Sequence, residues 1–121
     1  QNQLLLESTD DVYSLLNTAQ SNTLSSVNDQ QYGVKIENNK ATMFTGNTYI
    51  QGAADNQVVN FQNGVEIYSG SILLDGGATS IVFDRLTGGT NQYGTIKLRL
   101  INDILKTKTI TIEKTGIIKV D

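Results

Sequence analysis

The chain of 121 residues contains no cysteine, no histidine and no proline. The missing cysteine excludes disulfides and thiol chemistry, and the missing histidine excludes Ser-His-Asp and Cys-His catalysis together with the ordinary zinc sites. Because proline is also missing, the turns must depend on glycine and asparagine. Pairs of carboxylates could still perform acid-base catalysis.

The acidic residues give no sign of a catalytic centre. Glu66, Asp75, Asp84 and Asp103 lie near the ends of predicted strands, but no catalytic motif accompanies them. The glycine-rich loop at residues 87–90 lacks the Gly-Lys-Ser/Thr ending of a phosphate-binding loop, and no predicted helix follows it. We therefore expect that the chain is not an enzyme.

The charge is slightly acidic overall but unevenly distributed. Nine Lys and Arg against twelve Asp and Glu give a net charge of −3, so we expect no general attraction to nucleic acid. The basic residues concentrate in the last quarter of the chain and form a candidate basic surface: Lys97, Arg99, Lys106, Lys108, Lys114 and Lys119. Such a group suits a DNA-contacting face, a charge-complementary subunit interface or the solvent-facing positions of edge strands.

The first part of the chain predicts one amphipathic helix from Leu4 to Val27. Apolar residues recur every three or four positions, at Leu5, Val12, Leu16, Ala19, Thr23 and Val27. We expect the helix to bury Leu16, Ala19 and at least one of Thr23 and Val27, and to leave Asp10 and Asp11 exposed. A candidate cap at Ser8-Thr9 comes one turn after the apolar character has begun.

Short strands alone follow the helix. Alternating apolar residues predict strands at 32–37, 40–45, 96–101, 109–113 and 117–120, and short apolar runs add strands at 58–61, 65–68, 72–74 and 79–84. Asn38-Asn39 predicts a two-residue hairpin turn, and Lys114-Thr115-Gly116 predicts the turn of a C-terminal hairpin. Asn63-Gly64 is compatible with a tight hairpin or with a bulge in one long strand, and residues 102–106 are expected to be a connection.

Several of these segments carry a resemblance to a known family. They are Tyr32-Gly33-Val34, Ile81-Val82-Phe83-Asp84, Gly88, Gly94-Thr95-Ile96 with Leu98, and Ile110-Thr111-Ile112 leading through Gly116 to Lys119-Val120. Together with a helix that starts without a cap, they resemble the type IV pilin-like superfamily, and within it the H-type minor pseudopilins of type II secretion and related minor pilins. Ile117 stands where some relatives have a basic residue.

The resemblance implies an α+β fold in which one long N-terminal helix packs on an antiparallel sheet, with a second small sheet as an alternative. Residues 1–30 would be the C-terminal part of a pilin-type helix, and residues 31–121 the antiparallel head of the same domain. It also implies a structural subunit of a type IV pilus or type II secretion-like filament at the cell envelope or surface. The partners would be other subunits and, through a preceding apolar segment, the inner membrane; no cofactor is implied.

The expected assembly interface lies on the helix, at Leu4, Leu5, Leu6, Val12 and Tyr13. The leucines matter most, because no element of the chain is expected to cover them once the later turns cover the sheet.

Two alternatives stay open. An extracellular carbohydrate- or surface-binding β-module would use Tyr32, Tyr49, Tyr68 and Tyr93 as stacking surfaces. A calcium site would draw on loop oxygens from Asp55, Asn56, Asp84 and Asn91, although no spaced calcium-loop motif is present.

Overall fold

The computed structural model describes residues 2–26 and 30–121. Within them, helix α1 (Asn2–Leu24) is followed by eight strands: β1 (Tyr32–Ile36), β2 (Lys40–Thr45), β3 (Gln57–Asn60), β4 (Val65–Leu74), β5 (Ser80–Val82), β6 (Gly94–Leu100), β7 (Asp103–Ile112) and β8 (Ile118–Val120). One 3₁₀ turn, Asp75–Gly77, follows β4. The chain is therefore α+β, with a single N-terminal helix in its described part.

The strands form two antiparallel sheets of equal strand number. The first sheet has the order β3-β2-β1-β5 and the second the order β4-β6-β7-β8. The expectation that a second sheet would be small is wrong, because residues 103–106 are not a connection but the first part of the ten-residue strand β7. The segments 65–68 and 72–74 likewise belong to one strand, β4.

The Asn63-Gly64 segment carries the chain from one sheet to the other. Strand β3, before it, pairs with β2 in the first sheet, and β4, after it, pairs with β6 in the second. Gly64 has a φ of 95°, a left-handed conformation that glycine adopts without strain. Neither the hairpin nor the single bulged strand considered from the sequence is therefore correct.

Both hairpins expected from turn residues are confirmed. The β1–β2 hairpin places Ile36 opposite Ala41, and the Glu37 amide donates to the Lys40 carbonyl over 2.9 Å. In the C-terminal hairpin, which joins β7 to β8, the Glu113 amide donates to the Ile117 carbonyl over 2.8 Å. Asparagine and glycine supply these turns without any proline.

Helix α1 contacts strands of both sheets, and buried side chains from all three form one core. Leu16, Ala19 and Thr23 are fully buried, while Asp10 and Asp11 are exposed, as predicted. Val27 lies outside the described residues. The helix is thus a common packing surface for both sheets.

Two buried hydroxyl groups fix the helix to the strands. Ser8 Oγ accepts a hydrogen bond from the Gln62 amide at 2.9 Å, just after β3. Thr23 Oγ1 accepts one from the Tyr32 amide at 2.9 Å and donates to the Ala19 carbonyl over 2.7 Å. Ser8 is therefore an internal contact of the helix rather than its cap.

Candidate assembly interface

The three N-terminal leucines have different environments. Leu5 is only 3% exposed and belongs to the core, Leu4 packs against the core at its edge, and Leu6 is 42% exposed. The expectation that no part of the chain covers these leucines is therefore wrong for Leu5. The first half of β7 is the reason, since residues 105–108 reach the start of the helix and line a groove with Leu5 and Leu6.

Val12 and Tyr13 also differ from each other. Val12 is completely buried in the core, whereas Tyr13 is partly buried at its edge. Of the five residues predicted as an assembly interface, Leu5 and Val12 are thus too deeply buried to contact another subunit. Leu6 is the one member of the group whose side chain is exposed rather than partly or fully buried.

A second exposed leucine lies beside Leu6 and was missed by the sequence analysis. Leu105 is 89% exposed and lines the same groove, which has a volume of about 320 Å³. We call this the Leu6–Leu105 groove; its lining residues are Leu5, Leu6, Leu105, Lys106, Thr107 and Lys108. The apolar run Ile104-Leu105 within a charged segment was the signal that could have identified it.

The six predicted basic residues are not brought to one surface. Lys106 and Lys108 line the Leu6–Leu105 groove, whereas Lys97 and Arg99 line a different groove, described below. The reason is strand parity, the alternation of successive side chains between the two faces of a sheet. Lys108 pairs with the buried Leu98, so it shares the face that packs on the helix. Lys97 and Arg99 lie on the opposite face.

The other two basic residues have local partners. Lys119 Nζ lies 2.7 Å from Glu113 Oε2, and this hydrogen bond raises the pKa of Lys119. Lys114 Nζ lies 5.9 Å from the centre of the Tyr93 ring. The candidate basic surface is therefore divided among several places.

The calcium candidates are also separated. Asp84 and Asn91 line one polar groove of about 360 Å³, and neither Asp55 nor Asn56 lines it. Asp84 Oδ1 already accepts the Leu86 amide at 2.7 Å, which stabilises its own turn. In the part of the chain that the structure describes, no cluster of three or more Asp and Glu could hold a metal ion.

The four tyrosines do not share one stacking surface. Tyr32 is 6% exposed, and the Tyr49 ring lies edge-on to Phe44 with 5.8 Å between centroids. Tyr93 lies beside Lys114, so Tyr68, at 50% exposure, is the tyrosine with a widely accessible ring.

The helix is fixed both to the glycine-rich loop and to the C-terminal hairpin, at Gly88 and Gly116, two residues that carry the pilin resemblance. Gln20 Nε2 lies 2.8 Å from the carbonyl oxygens of both Gly88 and Gly116. Nearby, the Thr90 amide donates to the Lys114 carbonyl over 3.0 Å. One helix side chain thus joins the glycine-rich loop to the last turn.

No helix among the described residues combines the length and the apolarity needed to cross a membrane. Comparison of the chain with family models, with curated proteins and with solved structures gives no match.

Proposed function

We propose that the protein is a structural subunit, a pilin or pseudopilin, of a type IV pilus or type II secretion-like filament. The observation that carries the proposal is the Leu6–Leu105 groove, which leaves two leucines exposed at the N-terminal end of a long helix. The other side of that helix is committed to the core through Leu5, Val12 and Leu16. The resemblance in sequence and the α+β architecture support the same assignment.

Assembly would use the outer side of the helix. Covering Leu105, which is 89% exposed, by a neighbouring copy would contribute roughly 1.5–3 kcal/mol, and covering Leu6, which is 42% exposed, roughly half as much. Lys106 and Lys108 flank this apolar surface, and the exposed Asp10 and Asp11 of a neighbouring copy would complement their charge. The helix would thus hold the head together on one side and contact other subunits on the other.

Before assembly, the subunit would be held in the inner membrane by an apolar segment preceding residue 1, with its head outside the cytoplasm. This placement follows from the proposed family and assigns no cofactor or catalytic step to the chain. During assembly, this apolar segment would move from the membrane into a filament interior lined by helices.

The test compares three variants of the full-length protein in the cells that make it. Leu6→Asp and Leu105→Asp each place a charge on the proposed interface, and we expect both to reduce incorporation into filaments sheared from the cells. Leu86→Asp is the matched control, because Leu86 is 92% exposed and lies outside the Leu6–Leu105 groove. Urea unfolding of each variant establishes that its head is folded.

Two results would overturn the proposal. One is the absence of the wild-type protein from every sheared filament fraction. The other is incorporation of the folded Leu6→Asp and Leu105→Asp variants at the level of Leu86→Asp.

A further inference from the structure

A second groove lies on the face of the second sheet that points away from the helix. Strand β4 breaks its pairing with β6 between Ile67, opposite Leu98, and Ile72, opposite Ile96. Residues 68–71 therefore lie across from a single residue, Lys97, and β4 bulges outward. The groove has a volume of about 480 Å³, and Tyr68, Lys97 and Arg99 are among its lining residues.

The Tyr68 ring lies between Arg99 and the backbone of the bulge at the groove. The guanidinium carbon of Arg99 lies 4.5 Å from the ring centre, within cation–π distance. On the bulge, a Cβ atom at Gly70 would come within 2.6 Å of the ring, so only glycine allows the ring to lie there. The ring is nevertheless half exposed, and its free surface is available to a ligand.

Arg99 is itself held by a second layer of contacts. Its Nε donates to Glu66 Oε2 over 2.8 Å, and Asn38 Nδ2 donates to Glu66 Oε1 over 3.3 Å. The Asn38 amide also reaches the Ile67 carbonyl at 3.3 Å. Such supporting contacts fix a binding group before the ligand arrives, which lowers the entropic cost of binding.

Lys97 supplies a positive charge that no acidic group in the described part of the chain neutralises. Its side chain is exposed and makes no hydrogen bond or ion pair there. Opposite Lys97 and Arg99 on β7 lie Thr109 and Thr107, whose side chains line the same groove. The groove therefore combines one accessible aromatic ring, one unpaired ammonium group and a row of hydroxyl groups.

We propose that this groove binds an acidic saccharide. The apolar face of a pyranose ring would pack on Tyr68, its carboxylate would pair with Lys97 and the free guanidinium nitrogens of Arg99, and its hydroxyl groups would hydrogen-bond to Thr107 and Thr109. The site goes beyond the proposed function, because it lies on the opposite face of the sheet from the assembly surface.

Other ligand classes fit the groove less well. An extended peptide binds by adding a strand to a sheet edge, but the groove lies on the face of a sheet in which β6 is already paired on both sides. Single-stranded nucleic acid needs several stacking rings along a track of cations, whereas the lining of this groove contains a single tyrosine. A neutral sugar carries no negative charge that could pair with Lys97.

The test is titration of the purified protein with tetragalacturonate and with 3′-sialyllactose, monitored by calorimetry at low salt. We expect wild-type protein to bind at least one of them and to bind methyl-esterified tetragalacturonate and lactose at least about tenfold more weakly, since the carboxylate is then masked or missing. A tetraglutamate peptide and a thymidine oligonucleotide test the two competing classes.

Four variants locate the site. Tyr68→Ala and Lys97→Gln should each weaken binding about tenfold, whereas Tyr68→Phe, which keeps the ring, should stay within about twofold of wild type. Lys108→Gln is the matched control, because it removes the same charge from the opposite face of the same sheet. It too should stay within about twofold of wild type.

The proposal fails if neither acidic saccharide binds, or if the neutral saccharides, the peptide or the oligonucleotide binds as tightly. It also fails if Lys108→Gln weakens binding as much as Lys97→Gln. Because binding is measured on the isolated protein, these results are independent of filament incorporation.

Discussion

Gln20 Nε2 lies 2.8 Å from the carbonyl oxygen of Gly116, a residue 96 positions later in the chain. The same amide group reaches the Gly88 carbonyl, also at 2.8 Å, so one side chain satisfies two carbonyls of buried residues. We expect Gln20→Ala to lower the free energy of unfolding by about 1–3 kcal/mol, because both carbonyls lose their donor. Urea unfolding measures the difference.

The control for this prediction is Gln3→Ala. Gln3 lies on the same helix but donates only to Glu7 on the surface, at 3.0 Å. An exposed pair of this kind contributes about 0.2–0.5 kcal/mol. Equal losses in the two variants would contradict the proposed role of Gln20.

Gly116 is expected to tolerate no side chain. It has a φ of 100°, and a Cβ atom there would collide with the Gly88 carbonyl oxygen and with Gln20 Nε2. Gly76 has a comparable φ of 74° but open space around the Cβ position. We therefore expect Gly116→Ala to lower the melting temperature clearly more than Gly76→Ala, which adds only backbone strain of about 1–2 kcal/mol. Similar melting temperatures for the two variants would show that small shifts of the neighbouring atoms remove the collision at Gly116.

Leu5 and Leu6 are adjacent in sequence but should differ in their contribution to stability. Leu5→Ala removes a core side chain and should cost about 2–5 kcal/mol. Leu6→Ala alters an exposed position and should change stability by about 0.5 kcal/mol or less. Chemical denaturation of the two variants provides the measurement, and a large loss for Leu6→Ala would place that side chain in the core.

The ion pair between Arg99 and Glu66 predicts a dependence of stability on pH. The hydrogen bond from Arg99 lowers the pKa of Glu66 below its ordinary value, and the Asn38 hydrogen bond acts in the same direction. Glu66 thus contributes stability at pH values above its unfolded pKa of about 4.3. This contribution is lost as the pH falls through the lower folded pKa.

Glu66→Gln should therefore be less stable than wild type at pH 7, by roughly 0.5–1 kcal/mol for a partly buried ion pair at the surface. The difference between the two proteins should begin to shrink as the pH falls below about 4.3, the unfolded pKa of glutamate, and should continue to shrink until the pH has passed the lowered folded pKa. Unfolding curves at pH 7 and at a series of acidic pH values test this expectation. A difference that stays constant with pH would indicate a loss of packing rather than of charge.

The sequence predicted the elements whose signals are local. Periodicity identified the helix and its buried side at Leu16 and Ala19, and the turn residues identified the Asn38-Asn39 and Gly116 hairpins. These signals come from neighbouring residues, so they do not depend on contacts with distant parts of the chain.

The errors concern features that depend on distant pairing. Residues 103–106 do not alternate and therefore predict a connection, yet β7 begins at Asp103, which pairs with Leu100 of β6 beyond a shift in register. The lengthened strand covers Leu5, which the sequence alone left without a partner. The roles of Ser8 and Gln20 were also missed, because their hydrogen-bond partners lie 54 and up to 96 positions away.

The two candidate grooves were predicted only in part, again because each is formed by segments that are distant in the sequence. Leu6 and Tyr68 were recognised as apolar residues of an assembly or stacking surface, but Leu105 and Gly70, which complete the two grooves, come from other segments. Likewise, the basic residues near the end of the chain form no single surface, because strand parity sends Lys97 and Lys108 to opposite faces.

The order in which the chain visits its two sheets has a consequence for folding. Strands β1 to β3 build the first sheet, β4 enters the second, β5 returns to the first, and β6 to β8 complete the second. Neither sheet is therefore a continuous segment, and no single cut of the backbone separates them. Proteolysis should not release a folded half. The many contacts between distant segments also make slow, highly cooperative folding the expected behaviour of the chain.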